Sequence, residues 1–350
     1  MNPSTSRRQF RQQMFMRIVL GCILLAVGYL LWSIQRSKTS LDNLQPAAPM
    51  LTLLPTSQPD ELEAVQNQLH LVVINRENPY IGQVKLIGLD PASPQSAQTA
   101  LSCDRVHYAG GKGICLTLDK SAPNDVVLVT LFGSDFKPQR KFAMEGYPSR
   151  TRISPDGNYA AFTVFVTGHS YDDPNMSTAT ILVDTASGAN LGNLEEFETW
   201  KDGQRFQAPE FNFWGVTFAK DSNQFYATLR HGDTTYLVQG NLAARRLTVL
   251  RENVECPSLS PDDTRLAFKK RTLTGMWKLT VLDLATMQET PLAEEESIDD
   301  QVEWLDNNRI LYQHIDPDPP PWLSVMVIPA DGSGKPEVFV SNAVSPSTVP

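Results

Sequence analysis

The sequence predicts an all-β protein: a six-bladed β-propeller over residues 69–350, preceded by one N-terminal transmembrane helix (18–35) and a Pro-rich tether (36–68). Three observations carry this expectation. From about His70 onward, apolar and polar residues alternate over short runs bounded by Gly, Pro, Asp and Asn, the pattern of half-buried strands. A strand–turn–strand phrase recurs along that region, as repeat architectures require. Ahead of both, Ile18 to Ile34 runs without a charge.

Residues 1–17 are expected to form a short, basic cytoplasmic tail. The uncharged stretch spans roughly 25 Å as a helix, adequate for a bilayer core if Phe15, Met16 and a snorkelling Arg17 contribute. Tyr29 and Trp32 lie towards its far end, where amphipathic rings favour the interface. Four arginines precede the segment, against Arg36 and Lys38 after it, a bias that places the N-terminus inside and the body outside. Other readings stay open. A cleavable signal peptide would need a small-x-small site directly after the segment. Ser6–Phe10 (SRRQF) is similar to a twin-arginine export signal, whose apolar region should be less hydrophobic. Val19–Cys22 is similar to a lipobox, but such a cysteine should end the apolar stretch, and Cys22 nearly begins it.

Four prolines with Ser and Thr between residues 37 and 60 read as an extended tether. Leu51–Leu54 is a candidate short strand, and Glu61–Leu69 a candidate short helix. The net charge is −9, although the first 38 residues carry six basic side chains and no acidic one. The remainder is therefore strongly acidic, which excludes nucleic acid as a partner.

The repeated phrase is clearest in Thr151–Phe162 (TRISPDGNYAAF) and Pro257–Phe268 (PSLSPDDTRLAF). Looser copies are Val216–Ala227 and Val302–Tyr312. Pro presets φ at the turn, Asp caps it, and Gly157, Asp263 and Asn308 stand where a left-handed residue is expected. A third strand follows each copy, for example Ile181–Gly188 and Lys278–Ala285, and then a short fourth. Four strands in about 40 residues make one blade. The expected blades are 70–102, 103–146, 147–211, 212–252, 253–296 and 297–341. Blade one lacks an innermost strand; Asn342–Val349 is expected to supply it and close the ring, with Leu51–Leu54 as the rival.

The phrase SPDG-x-x-x-A-F, followed by a strand ending near Asp-x-x-x-Gly, resembles the propeller repeat of TolB-like (PD40-type, WD40-like) bacterial proteins over roughly residues 70–345. The family's namesake carries an additional N-terminal α/β domain where this chain has a tether, so a Tol–Pal role does not carry over. The same repeat forms the propeller of prolyl-oligopeptidase-type peptidases, but no G-x-S-x-G elbow is found.

Propeller sites form where loops meet the channel mouth. The entry positions are Arg105 and His107, Arg150 and Arg152, Asn212 and Trp214, Glu255, and Asp299, Asp300, Gln301 and Glu303, acidic on one side of the opening and basic on the other. An insertion in blade three adds His169, Tyr171, Asp172 and Asp173 as a ligand-contacting flap or an ordinary surface loop. Ser170 beside His169 does not make a nucleophile–base pair. Asp316–Trp322 (DPDPPPW) is a rigid insertion in blade six. No catalytic constellation, metal signature or cofactor motif is found. Cys103 and Cys115 flank the Ala109–Gly113 turn and are expected to face each other as a disulfide, stabilising by up to roughly 3 kcal/mol. Cys256 is expected to be a buried free thiol.

The leading functional expectation is a membrane-anchored, extracytoplasmic binding or scaffolding module for an envelope protein or glycan. The rival is a propeller hydrolase or lactonase-like enzyme with a metal in the channel, motivated by the carboxylates. A membrane sensor is the third reading, weakened by a cytoplasmic piece of about 17 residues.

Overall fold

The computed structural model describes residues 56–316 and 322–350. The basic tail, the transmembrane segment with Cys22, the tether up to Pro55 with Leu51–Leu54, and residues 317–321 of the blade-six insertion lie outside the described residues. Among the described residues no helix is long and apolar enough to cross a membrane.

The described chain opens with α1 (Pro59–Gln66), slightly earlier than the expected helix. Pro59 fits the first turn, and the Glu61 carboxylate accepts from the Gln58 N–H at 3.0 Å. Val65 is buried against blades one and two.

Six antiparallel blades follow. Blade one holds β1 (His70–Asn75), β2 (Gln83–Gly88) and β3 (Ser96–Ser102). Blade two is β4 (Arg105–Ala109), β5 (Lys112–Leu118), β6 (Val126–Gly133) and β7 (Pro138–Glu145). Blade three is β8 (Tyr147–Ile153), β9 (Tyr159–Thr167), β10 (Ser177–Asp184) and β11 (Asn190–Asn193). Next come β12 (Glu198–Lys201) and β13 (Gln204–Arg205), then blade four, β14 (Asn212–Phe218), β15 (Gln224–His231), β16 (Thr234–Asn241) and β17 (Arg246–Glu252). Blade five is β18 (Glu255–Leu259), β19 (Arg265–Arg271), β20 (Trp277–Asp283) and β21 (Glu289–Pro291). Blade six is β22 (Glu303–Asp306), β23 (Arg309–Asp316), β24 (Trp322–Pro329) and β25 (Glu337–Ser341). Finally β26 (Ala343–Val349) returns to blade one as its innermost strand, pairing Leu71 with Thr348 and Val72 with Ser347. The tail therefore closes the ring, as expected.

One boundary differs. Residues 198–205, expected in blade three, belong to blade four, where β12 runs parallel to β17 in the register Glu198–Arg246 to Trp200–Thr248. The cause is the alternation Phe197, Thr199, which buries both side chains, with Phe197 joining Leu247 and Phe225 in one core cluster. The extra strands cover what would otherwise be an open edge at β17.

The repeated phrase works through its serine as much as its aspartate. Ser154 Oγ donates to Asp156 at 2.6 Å and accepts from the Tyr159 N–H at 2.9 Å. Ser260 repeats both bonds with Asp262 and Arg265 at 2.6 and 3.0 Å. Gly157 and Asp263 are left-handed, with φ of 76° and 63°. Asn308 is not, and in blade four Ser222 takes the left-handed place instead. Gly110 (φ 55°) turns the β4–β5 hairpin against Gly157; a Cβ on Gly110 would sit 2.4 Å from the Gly157 nitrogen, so the two turns meet backbone to backbone. Cys103 and Cys115 are joined by a disulfide, and Cys256 is free and buried.

Neighbouring blades are not joined by sheet ladders, yet each seam near the channel has a side chain reaching backbone. Ser345 and Ser347 bond β4 from blade one. His107 accepts from the Ile153 N–H at 3.1 Å, Thr180 donates to the Phe213 carbonyl at 2.5 Å, and Thr217 accepts from the Leu259 N–H at 3.1 Å. Trp304 donates to the Ser258 carbonyl at 2.8 Å, and Glu303 accepts from the Thr348 N–H at 3.2 Å. Buried backbone groups at strand edges are thereby satisfied.

Candidate functional site

The upper face is the one where the second and third strands of each blade connect. There the structure brings the predicted entry residues of blades two, three and six together. They do not form an acidic and a basic half. Opposite charges meet across the channel, because in a low-dielectric interior unpaired charges are too costly to keep apart.

Arg150 reaches from β8 to Asp299, Nη2 to Oδ1 at 3.0 Å, and the fully buried Lys269 approaches the same oxygen at 2.5 Å. Burial alone would raise the Asp299 carboxyl; Lys269 and Arg150 outweigh it and hold it at about 2. One layer deeper, Arg152 pairs with Glu303 and also donates to the Val302 carbonyl at 3.2 Å. Burial opposes the Glu303 charge, but Arg152 and the His107 hydrogen bond lower its carboxyl. His107 lies 3.7 Å from Glu303 through Nε2. Its Nδ1 accepts from Ile153, which places the ring proton on Nε2. Burial, with the Arg152 charge, lowers the His107 imidazole below its ordinary value.

Arg105 donates to the Ser149 carbonyl at 2.7 Å, and Asp300 accepts from the Gln301 and Gln313 N–H groups at 2.9 Å. Gln301 Nε2 donates to the carbonyls of Val216 and Pro257 at 2.9 and 3.0 Å, tying blades four and five to the segment before blade six. The remaining space among Arg105, His107, Arg150, Arg152, Asp300 and Gln301 is about 30 Å³. That is room on the scale of one water, not of a substrate. The channel is plugged by its own charges.

The other predicted residues fall outside this plug. Glu255, 2% exposed, accepts from Trp277 Nε1 at 3.1 Å and pairs with Arg271 at 3.4 Å. Arg271 also holds Asp172 at 2.7 Å, which pins the blade-three insertion to blade five. Tyr171 and Trp214 are core residues with ring centroids 4.8 Å apart, and burial raises the Tyr171 hydroxyl. Asn212 accepts from the Thr178 N–H at 2.8 Å. His169 is exposed, pairs with Asp125 at 3.0 Å and packs on Tyr147. Asp173 caps the Asn175 N–H at 2.8 Å. Among the described residues no group of three His, Cys, Asp or Glu side chains is placed to hold a metal ion.

Sequence reasoning missed Lys269, whose ammonium lies 4.1 Å from the Trp277 ring centroid and 5.1 Å from that of Tyr171. A signal existed. Thr163, Thr228 and Lys269 occupy the same place in three copies of the phrase, and all three are buried. Lysine where its counterparts are threonine marks a departure from the repeat. Arg271 and Trp277 were missed because they follow the phrase rather than belong to it.

The sequence matches no protein-family model and no curated protein. Among solved structures, TolB from Acinetobacter baumannii is similar with a TM-score of 0.56 and 12% identity, covering 80% of this chain and 66% of that one. A chain of the nidogen/laminin complex is similar at 0.53 and 10%, covering 80% and 98%. A putative TolB from Agrobacterium tumefaciens scores 0.49 at 11%, covering 79% and 91%. The fold is thus a TolB-like six-bladed propeller, and the chain spans just under two thirds of the first of these relatives.

Proposed function

We propose that this chain is a membrane-anchored, extracytoplasmic binding module that presents the upper face of its propeller to a protein partner. The observation that carries this reading is the distribution of exposed apolar side chains. Of the eight large apolar side chains exposed among the described residues, five (Ile81, Val166, Leu273, Met276 and Ile315, 43–109% exposed) lie at or beside a connection between the second and third strands of their blades, while Leu69, Met287 and Val338 lie elsewhere. The excess of such side chains on this rim over the rest of the surface favours it as the face that meets a partner. The plugged channel supports the reading from the other side: its charges are held by each other or by backbone groups, and the plug fixes the loops in one arrangement. A surface that is rigid before contact loses less entropy on binding.

The test is photocrosslinking in the cell that makes the protein, with a photoreactive residue at Ile81 or Leu273 and a control at Met287 on the opposite face. The reading expects a discrete protein adduct from the first two positions and none from the third. A carbohydrate adduct would replace the protein partner by a glycan, and equal or absent adducts at all three positions would sink the reading.

A further inference from the structure

Beside the blade-three insertion, two adjoining cavities of about 440 and 260 Å³ share Pro174, Arg230 and Asp233 and form one cleft that runs between blades three and four and reaches Glu255 and Arg271 of blade five. Its charges are only partly paired with one another. Glu210 is paired with His231 and Asp172 with Arg271, but Asp173 and Asp233 have no cationic partner among the described residues. Arg230 has no carboxylate within 4.0 Å either; its guanidinium is held by the Gly232 carbonyl at 2.9 Å and the Pro174 carbonyl at 3.4 Å. Trp214 lines the same cleft, is 1% exposed, and carries an indole N–H that is buried without a partner.

This combination selects a ligand class. A simple anion at Arg230 would face Asp173 and Asp233, and a simple cation would leave the Arg230 donors unused. A peptide satisfies both, because its carbonyls accept from Arg230 while a basic side chain meets the two carboxylates. The acidic balance of the chain beyond its first 38 residues favours approach of a basic segment. We propose that the cleft binds an extended segment of the partner protein through one lysine or arginine side chain, held by Asp173 and Asp233 with its main chain against Arg230. This rests on the reading of the upper face as a protein-binding surface.

The test uses the full chain in detergent, titrated with a labelled, end-capped alternating glycine–lysine peptide and its glycine–glutamate counterpart. Saturable binding of the lysine peptide alone is expected. Asp173→Asn with Asp233→Asn should weaken it about tenfold, the worth of one charge-assisted contact. Asparagine keeps the oxygen that caps Asn175, and a thermal melt verifies the fold. Arg230→Gln is decisive: it makes the protein more negative, so diffuse attraction predicts tighter binding, whereas the proposed contact predicts weaker binding. Tighter binding in Arg230→Gln, no saturable binding of the lysine peptide, or equal loss from Asp331→Asn with Glu337→Gln outside the cleft would each overturn the proposal. If Leu273 crosslinks a protein while the peptide fails to bind, the cleft inference falls and the functional reading stands.

Discussion

The Ser347 hydroxyl is bonded twice to one residue: it accepts from the Tyr108 N–H at 3.1 Å and donates to the Tyr108 carbonyl at 2.8 Å. Ser345 does the same with Val106, at 3.2 and 3.0 Å. Two short side chains thus imitate a strand ladder across the seam where the last strand meets blade two. Replacing Ser347 by alanine leaves a buried N–H and a buried carbonyl without partners, a loss of about 1–3 kcal/mol. The Ser345→Ala, Ser347→Ala pair should lose more than either alone, read as a lower urea midpoint with an unchanged slope.

His107 makes stability depend on pH. Its imidazole is held below the ordinary value, so the unfolded chain takes up the proton first as pH falls, and stability is lost as pH drops below 6.5. His70 is shifted in the same direction, so the informative quantity is the difference between proteins. His107→Asn keeps an acceptor for the Ile153 N–H and removes the titration. Its urea midpoint should fall less steeply than that of the parent between pH 6.5 and 5. Asp299, held at about 2 against 3.8, acts later: the stability it adds is present above pH 4 and is lost as pH falls towards 2.

Lys269 and Asp299 should behave unequally when removed. Asp299→Asn strands the fully buried Lys269 ammonium and the Arg150 guanidinium together; because the Asp299 side chain is itself 39% exposed, the cost should fall below the roughly 3–5 kcal/mol of a fully buried pair. Lys269→Met keeps the volume and leaves Asp299 its Arg150 partner, so it should cost less. The double change should cost less than the two single changes added together, measured by equilibrium unfolding of all four proteins. Additive losses would show that the pair is not coupled.

Much of the fold was legible because its cause is periodic. The Ser-Pro-Asp phrase marks the inner hairpins of blades three and five, looser copies mark those of blades four and six, and the blade-like opening of Asn342–Val349 pointed to ring closure. The placement of residues 198–205 was not legible, since Phe197 and Thr199 alternate like any strand and nothing local says which blade they join. The candidate site was read more coarsely. Arg150, Arg152, Asp299 and Glu303 were found by their position at strand entries, but not that they would neutralise one another. Pairing across a ring depends on which blades stand opposite, and that is a property of closure rather than of any local segment. Tyr171 and Trp214 were read as mouth residues for the same reason, although the rings bury each other.

The proposed membrane topology rests on the charge bias around Ile18–Ile34 and has a direct measurement. In a Cys22→Ser background, a cysteine introduced at Ser134, an exposed position, should react in intact cells with a maleimide that does not cross the inner membrane. A cysteine at Ser4 should react only after lysis. The reverse pattern would invert the anchor.

Closure by β26 also shapes how the molecule comes into being. Ser345 meets Val106 across 239 positions of chain, and His70 pairs with Val349 across more. Contacts of such span carry a heavy loop-closure cost and slow the search for the native state. Until residues 343–349 have been synthesised, blade one has no inner strand and blade two no serine ladder, so the nascent body is an open arc with two raw edges. A chain without Ala343–Val349 would therefore remain conspicuous to proteases, and that strand doubles as a signature of a closed ring.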